Sequence, residues 1–129
     1  MILVDTSAWI EVLGGRATQR YLDAVRGEEV VTCLPVMQEV LQGIDDRRAF
    51  HVAMAAFADI VILENPLTRS VFDDAVHLYR EGRRAGITVR SSVGCLVAAC
   101  ALRHDATVLH VDRDFRHLAR ITALKVRNL

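Results

Sequence analysis

The sequence predicts an α/β protein: a three-layer α/β/α sandwich around a central parallel sheet, in a single domain spanning residues 1–129. Two observations carry this. Short β-branched runs alternate with longer stretches of helical period, and the runs are apolar at nearly every position, as in strands covered on both faces. No internal repeat, low-complexity tract or linker breaks the alternation, and the length suits one domain.

The elements follow in order. Ile2-Leu3-Val4 reads as a buried strand. Thr6 or Ser7 can cap a helix through Trp9, Ile10 and Leu13, stopped by Gly14-Gly15. Tyr21, Leu22 and Val25 mark a second helix ending near Gly27, and Val30-Val31-Thr32-Cys33 is the second strand. Pro35 suits the first turn of a helix carrying Val36, Val40 and Leu41, with Gly43 as its stop. A helix from about Asp46 to Phe57 leads to a third strand, Ile60-Val61-Ile62-Leu63. Pro66 opens a long helix that runs through Val71, Ala75 and Tyr79 to near Gly86. Ser91 or Ser92 caps an apolar helix from Val93 to Leu102, and Thr107-Val108-Leu109 is the fourth strand. A short helix around Phe115 to Ala119 and a strand near Leu124-Lys125-Val126 complete the chain.

Bulk properties bound the function. Hydrophobic residues make up 52% of the chain, too many for disorder. Sixteen basic residues balance sixteen acidic ones, so nucleic acid would have to be met by a local patch rather than by the whole surface. Every basic residue but Lys125 is arginine, which suits planar phosphate recognition and is equally the mark of a codon bias. Cys33, Cys95 and Cys100 lie in apolar runs without metal-ligand spacing, pointing to reduced, buried thiols. With no signal-peptide pattern and no membrane-length apolar run, a soluble cytoplasmic protein that does not touch the membrane is expected.

The acidic residues carry the chemistry. Asp5 ends the first strand, Asp112 follows the fourth, and Asp114 comes two residues later. In an open parallel sheet, ligands gather beyond the carboxyl ends of the strands, where strand order reverses. If the first and fourth strands are neighbours there, Asp5 and Asp112 face each other across the crevice. Glu39 stands among Val36, Val40 and Leu41 on an otherwise apolar helix face. Converging carboxylates repel and raise one another's pKa unless a cation compensates. Hard oxygen donors suit Mg²⁺ or Mn²⁺, and such an ion can activate water and clamp a phosphate, so the composition favours phosphodiester hydrolysis. Each residue also has a plainer use: Asp5 as a helix cap, Glu39 as a solvated helix residue, Asp112 and Asp114 as turn formers.

Four blocks in order resemble the PIN-domain ribonuclease toxins of the VapC type. They are Met-Ile-Leu-Val-Asp5-Thr6-Ser7-Ala-Trp, Pro35-Val-Met-Gln-Glu39-Val-Leu-Gln-Gly43, Ile87-Thr-Val-Arg90-Ser-Ser-Val-Gly94-Cys-Leu-Val-Ala-Ala and Leu109-His-Val-Asp112-Arg-Asp114-Phe115. The resemblance implies a Mg²⁺- or Mn²⁺-dependent endoribonuclease that cuts cellular RNA. It implies catalytic roles for Asp5, Glu39 and Asp112, with Asp5, Asp112 and Asp114 as metal ligands. It further implies a homodimer, neutralised by a VapB-type antitoxin that inserts a peptide at the active site, alone or in a higher assembly with that antitoxin. The third block departs from the pattern: the family has aspartate where this chain has Gly94. Glycine in the first turn of a helix costs about 1 kcal/mol relative to alanine, and an acid there is favoured by the helix dipole. Close packing against a neighbour, deliberate inactivation of a toxic enzyme and natural loss of activity all account for it. The expectation for this chain is little or no cleavage.

Other positions complete the reading. Thr6 and Ser7 can support a neighbouring carboxylate or a metal-bound water, or cap a helix. Arg90 and Arg113 are candidates for RNA phosphates, with Arg83, Arg84 and Arg116 nearby. Trp9, Leu13, Tyr21 and Leu22 can form an antitoxin groove or simply pack the core. No two of the five histidines form a recognisable metal pair. Two other classes compete with the enzyme. Gly94 favours a module that only binds antitoxin or RNA. A haloacid-type phosphohydrolase needs a second aspartate where Ser7 stands, and a receiver needs an acidic pair at the end of its first strand.

Overall fold

Five strands, β1 (Ile2–Val4), β2 (Val30–Cys33), β3 (Val61–Leu63), β4 (Thr107–His110) and β5 (Lys125–Asn128), form one parallel sheet in the order β3-β2-β1-β4-β5. The computed structural model describes all of residues 1–129. Seven helices connect the strands: α1 (Thr6–Leu13), α2 (Thr18–Ala24), α3 (Leu34–Gln42), α4 (Arg47–Ala58), α5 (Arg69–Arg84), α6 (Ser92–Arg103) and α7 (Arg113–Ile121). From β1 the chain builds outward through β2 to β3, then returns to the other side of β1 for β4 and β5. With right-handed crossovers, that reversal sends α1–α4 to one face and α5–α7 to the other. The packing agrees: α1 touches α2 and α3, and α3 touches α4, while α5, α6 and α7 contact one another.

The centre is as apolar as the sequence requires. Ile2, Leu3 and Val4 are fully buried, as are Val31, Val108 and Leu109 on the flanking strands. Burying each such side chain contributes about 1.5–3 kcal/mol. In α6, Ala98, Ala99 and Ala101 are buried, and their small size suits a close approach. The edges depart from the expected two-sided cover. Val61 in β3 is 53% exposed, and β5 carries the charges of Lys125 and Arg127, which discourage pairing with another chain. No helix is long and apolar enough to cross a membrane.

Three local expectations are corrected. Neither Thr6 nor Ser7 caps α1; Asp5 does, its Oδ2 accepting the Ser7 N–H at 2.9 Å. Pro66 does not open α5: Thr68 is still extended (φ −104°, ψ 164°), so the helix starts at Arg69. The last helix is longer than its apolar residues suggest, because Asp112 caps it at Arg113. Of the two uses open to Trp9, packing the core is the one it takes. Trp9 is 8% exposed and packs against the rings of Tyr21 and Phe57, with centroids 5.8 and 5.4 Å away.

Candidate active site

The β1–β4 pair is the point where strand order reverses, and the register Val4↔Leu109 places Asp5 at its carboxyl end. The Asp5 N–H donates to the Leu109 carbonyl at 2.9 Å, so the adjacency required for Asp5 and Asp112 to share a crevice is met. Two clusters of side chains result.

The first belongs to β1, α1 and α3. Asp5, 6% exposed, accepts the Ser7 hydroxyl at 2.5 Å as well as its N–H. The Thr6 hydroxyl donates to Glu39 Oε1 at 2.9 Å, fixing the one acid of α3 at the site. Burial pushes the Asp5 carboxyl above the ordinary aspartate value, the Ser7 hydrogen bonds oppose that rise, and the charge of Glu39 adds to it. Burial, more than the crowding of carboxylates expected from sequence, is the leading cause.

The second cluster belongs to β4, α6 and α7. Asp112 caps α7, its Oδ1 accepting the Asp114 N–H at 3.0 Å and Arg90 Nη2 at 3.2 Å. Asp114, 5% exposed, accepts the Arg90 N–H at 3.0 Å, with Arg90 Nε 3.6 Å away. Ser91 caps α6 by accepting the Gly94 N–H at 3.3 Å, which sets Gly94 in the first turn. The adjoining Cys95 thiol is pushed up by burial and by the charge of Asp114, so this turn lies beside that carboxylate. A Cβ added at Gly94 would meet nothing nearer than Ser91 Cβ at 3.9 Å. That is ordinary contact, and the close-packing explanation for glycine fails.

Ser7 joins the clusters. Its hydroxyl donates to Asp5 and accepts the Val111 N–H at 3.0 Å, tying the end of β1 to the segment before Asp112. Beside them opens a cleft lined by Ser7, Glu11, Arg90, Asp112 and Arg113. Arg83 and Arg84 instead lie on the last turn of α5. His110 is fully buried, makes no hydrogen bond through either ring nitrogen and packs against Phe115. Burial holds it below the ordinary histidine value, so at neutral pH it is an uncharged ring.

Carboxylates and hydroxyls together form the donor set of a hard divalent ion. Their arrangement does not complete a site, because no three acidic, histidine or cysteine side chains are gathered closely enough to hold an ion. The residues as they stand do not fit a full Mg²⁺ centre: Gly94 offers no carboxylate, and Arg90 already compensates Asp112 and Asp114.

A parallel sheet with acids at the carboxyl ends of its two central strands, supplied by β1, α3 and the start of α7, defines the class of this protein. Residues 2–121 match the family profile described as PIN domain, and the chain belongs to that family. It is 39% identical over 133 residues to ribonuclease VapC11 of Mycobacterium tuberculosis, an alignment covering 97% of this chain and 96% of that protein. VapC ribonuclease Mb1587 of Mycobacterium bovis matches to the same extent, 39% over 133 residues. Among solved structures, VapBC2 from Rickettsia felis bound to a promoter DNA fragment superposes with a TM-score of 0.75 at 15% identity, covering 100% of this chain and 99% of that one. The M. tuberculosis toxin VapC20, described as cleaving the sarcin–ricin loop, gives 0.72 at 19% identity, with 97% and 99% covered. These likenesses establish the fold.

Proposed function

We propose that the chain is a cytoplasmic endoribonuclease toxin of the VapC kind, built for Mg²⁺ or Mn²⁺ but left with an incomplete metal site at Gly94. The observation that carries this reading is a pair of acids at the end of each central strand, Asp5 with Glu39 beside β1 and Asp112 with Asp114 beside β4, with open space for a side chain at position 94. The 39% identity to named ribonucleases supports the RNA substrate. The partner is a VapB-type antitoxin. A groove between α1, α3 and α4 suits an amphipathic helix: Ile10, Leu13, Ile44 and Val52 line it, and Glu39 borders it beside the active site. The exposed Phe72 and Val76 of α5 suit a homodimer contact.

The test compares this chain with its Gly94→Asp variant in RNA cleavage and in thermal melting, with Mg²⁺ and then with EDTA. Expected are metal-dependent cleavage and a Mg²⁺-induced rise in Tm for the variant alone, since an ion that binds only the folded state stabilises it. Strong, EDTA-sensitive cleavage by the unaltered chain would refute the incomplete site. A folded variant that neither cleaves a broad RNA pool nor responds to Mg²⁺ would sink the nuclease reading. The second reading, a module that only binds antitoxin or RNA, is favoured by the Arg90 contacts to Asp112 and Asp114.

A further inference from the structure

Although the chain is neutral, its charge is divided along its length. Before Arg80 there are six basic and twelve acidic residues; from Arg80 onward there are ten basic and four acidic. The basic excess includes a stripe on α7. Arg113, Arg116 and Arg120, spaced by three and four residues, share the exposed face, while Asp114, Phe115 and Leu118 are buried on the other. Arg113 lines the cleft beside Asp112, and the stripe runs from there for about 10 Å at ~1.5 Å per residue.

These arginines also differ in their partners. Arg16, Arg26, Arg69, Arg90, Arg103 and Arg127 each form an ion pair with a carboxylate of the chain. Arg113, Arg116 and Arg120 form none. Nor do Arg80, Arg83 and Arg84 on α5, which packs against α7; Arg20, Arg47 and Arg48, on α2 and α4, are unpaired as well but do not line the acidic cleft. Guanidinium groups left free in a row, beginning at the rim of an acidic cleft, are suited to bidentate contact with successive anions on a flexible strand.

We infer that the Arg113-Arg116-Arg120 face of α7 is a track for the RNA backbone, holding the phosphates of the strand that leaves the carboxylate site. This rests on the ribonuclease reading above and adds to it the surface and direction along which substrate lies. The track supplies register and affinity without reading bases.

The experiment measures binding of a short fluorescein-labelled oligouridylate by fluorescence anisotropy, in EDTA so that cleavage does not intervene, across a range of KCl concentrations. Three full-length proteins are compared: the unaltered chain, Arg116→Gln/Arg120→Gln, and Arg47→Gln/Arg48→Gln on α4, an equal loss of charge elsewhere. Single-stranded contacts contribute about 0.7 per neutralised phosphate to the slope of log K against log salt, so the α7 variant is expected to bind more weakly, with a slope shallower by about 1.4. The α4 variant should retain the original slope. An unchanged slope in the α7 variant, or an equal loss in both, overturns the track while leaving the RNA reading intact. No salt-dependent binding by the unaltered chain overturns the RNA reading itself, and the track with it.

Discussion

The two clusters of the acidic site handle negative charge in opposite ways. On the β1 side, Asp5 and Glu39 are held by hydroxyls, Ser7 and Thr6, and no arginine or lysine pairs with either. On the β4 side, Asp112 and Asp114 are held by the guanidinium and backbone of Arg90. The first cluster therefore keeps an uncompensated buried charge, visible in the raised pKa of Asp5. The second has its own internal cation. A cation reaching the first cluster would meet no competing charge of the chain, whereas in the second it would compete with Arg90. Gly94 sharpens the asymmetry, because an aspartate there would outnumber the single arginine. The largest expected effect on this comparison is accordingly Gly94→Asp, from little cleavage to metal-dependent cleavage.

Next in size is Ser7→Ala. The hydroxyl is the link between the clusters, donating to Asp5 and accepting from Val111. Its removal takes a hydrogen bond from a buried carboxylate and leaves the Val111 N–H without its partner. The expected loss is about 1–3 kcal/mol of unfolding free energy in urea titration. A loss well under that range would mean that water replaces the hydroxyl and that the clusters are not coupled through Ser7.

Much of this site was legible in the sequence, and for a stated reason. Strands that are apolar throughout announce a covered parallel sheet, and an acid directly after such a strand falls at its carboxyl end. Thus Asp5 and Asp112 follow from the sequence alone as strand-end acids, whatever the strand order. The adjacency of β1 and β4 was not legible, since no local pattern in Ile2–Val4 or Thr107–His110 names its neighbour. For the same reason the bond from Ser7 to Val111, 104 residues apart, carries no sequence signal. Trp9 stays open between groove and core in the sequence, because an amphipathic helix looks alike whether its apolar stripe meets a partner or, as here, Phe57 of its own chain. The division of charge at Arg80 could have been counted from sequence, but it gains meaning only once α7 has a buried face and an exposed one.

Asp5→Asn tests the uncompensated charge directly. For an acid whose folded pKa is raised, the folded state binds more protons between the ordinary aspartate value of 3.8 and the raised one. Stability then falls as pH rises through that window, and the penalty persists above it. Asparagine retains an oxygen for the Ser7 N–H and hydroxyl but carries no charge. The variant should be at least as stable as the unaltered chain at neutral pH, with its advantage shrinking as acid protonates Asp5. A variant that is less stable at neutral pH and recovers nothing in acid would mean that the carboxylate's hydrogen bonds outweigh its burial.

The smallest effect belongs to Arg90→Gln. The Arg90 side chain is 59% exposed, so its pairing is screened by solvent, even though Asp114 on the other side is only 7% exposed. Such pairs contribute about 0–1 kcal/mol, and the backbone N–H of residue 90 still reaches Asp114 in the variant. Melting should therefore change little, and less still at high salt. The informative comparison is the same substitution within Gly94→Asp. There the guanidinium would offset an additional carboxylate, so its loss should lower the metal-free Tm more than it does in the unaltered chain. Mg²⁺ should restore part of that difference if Arg90 and the ion serve the same charge. Equal losses in both backgrounds, unaffected by Mg²⁺, would show that position 94 and Arg90 act independently and that the β4 cluster is neutralised for folding alone.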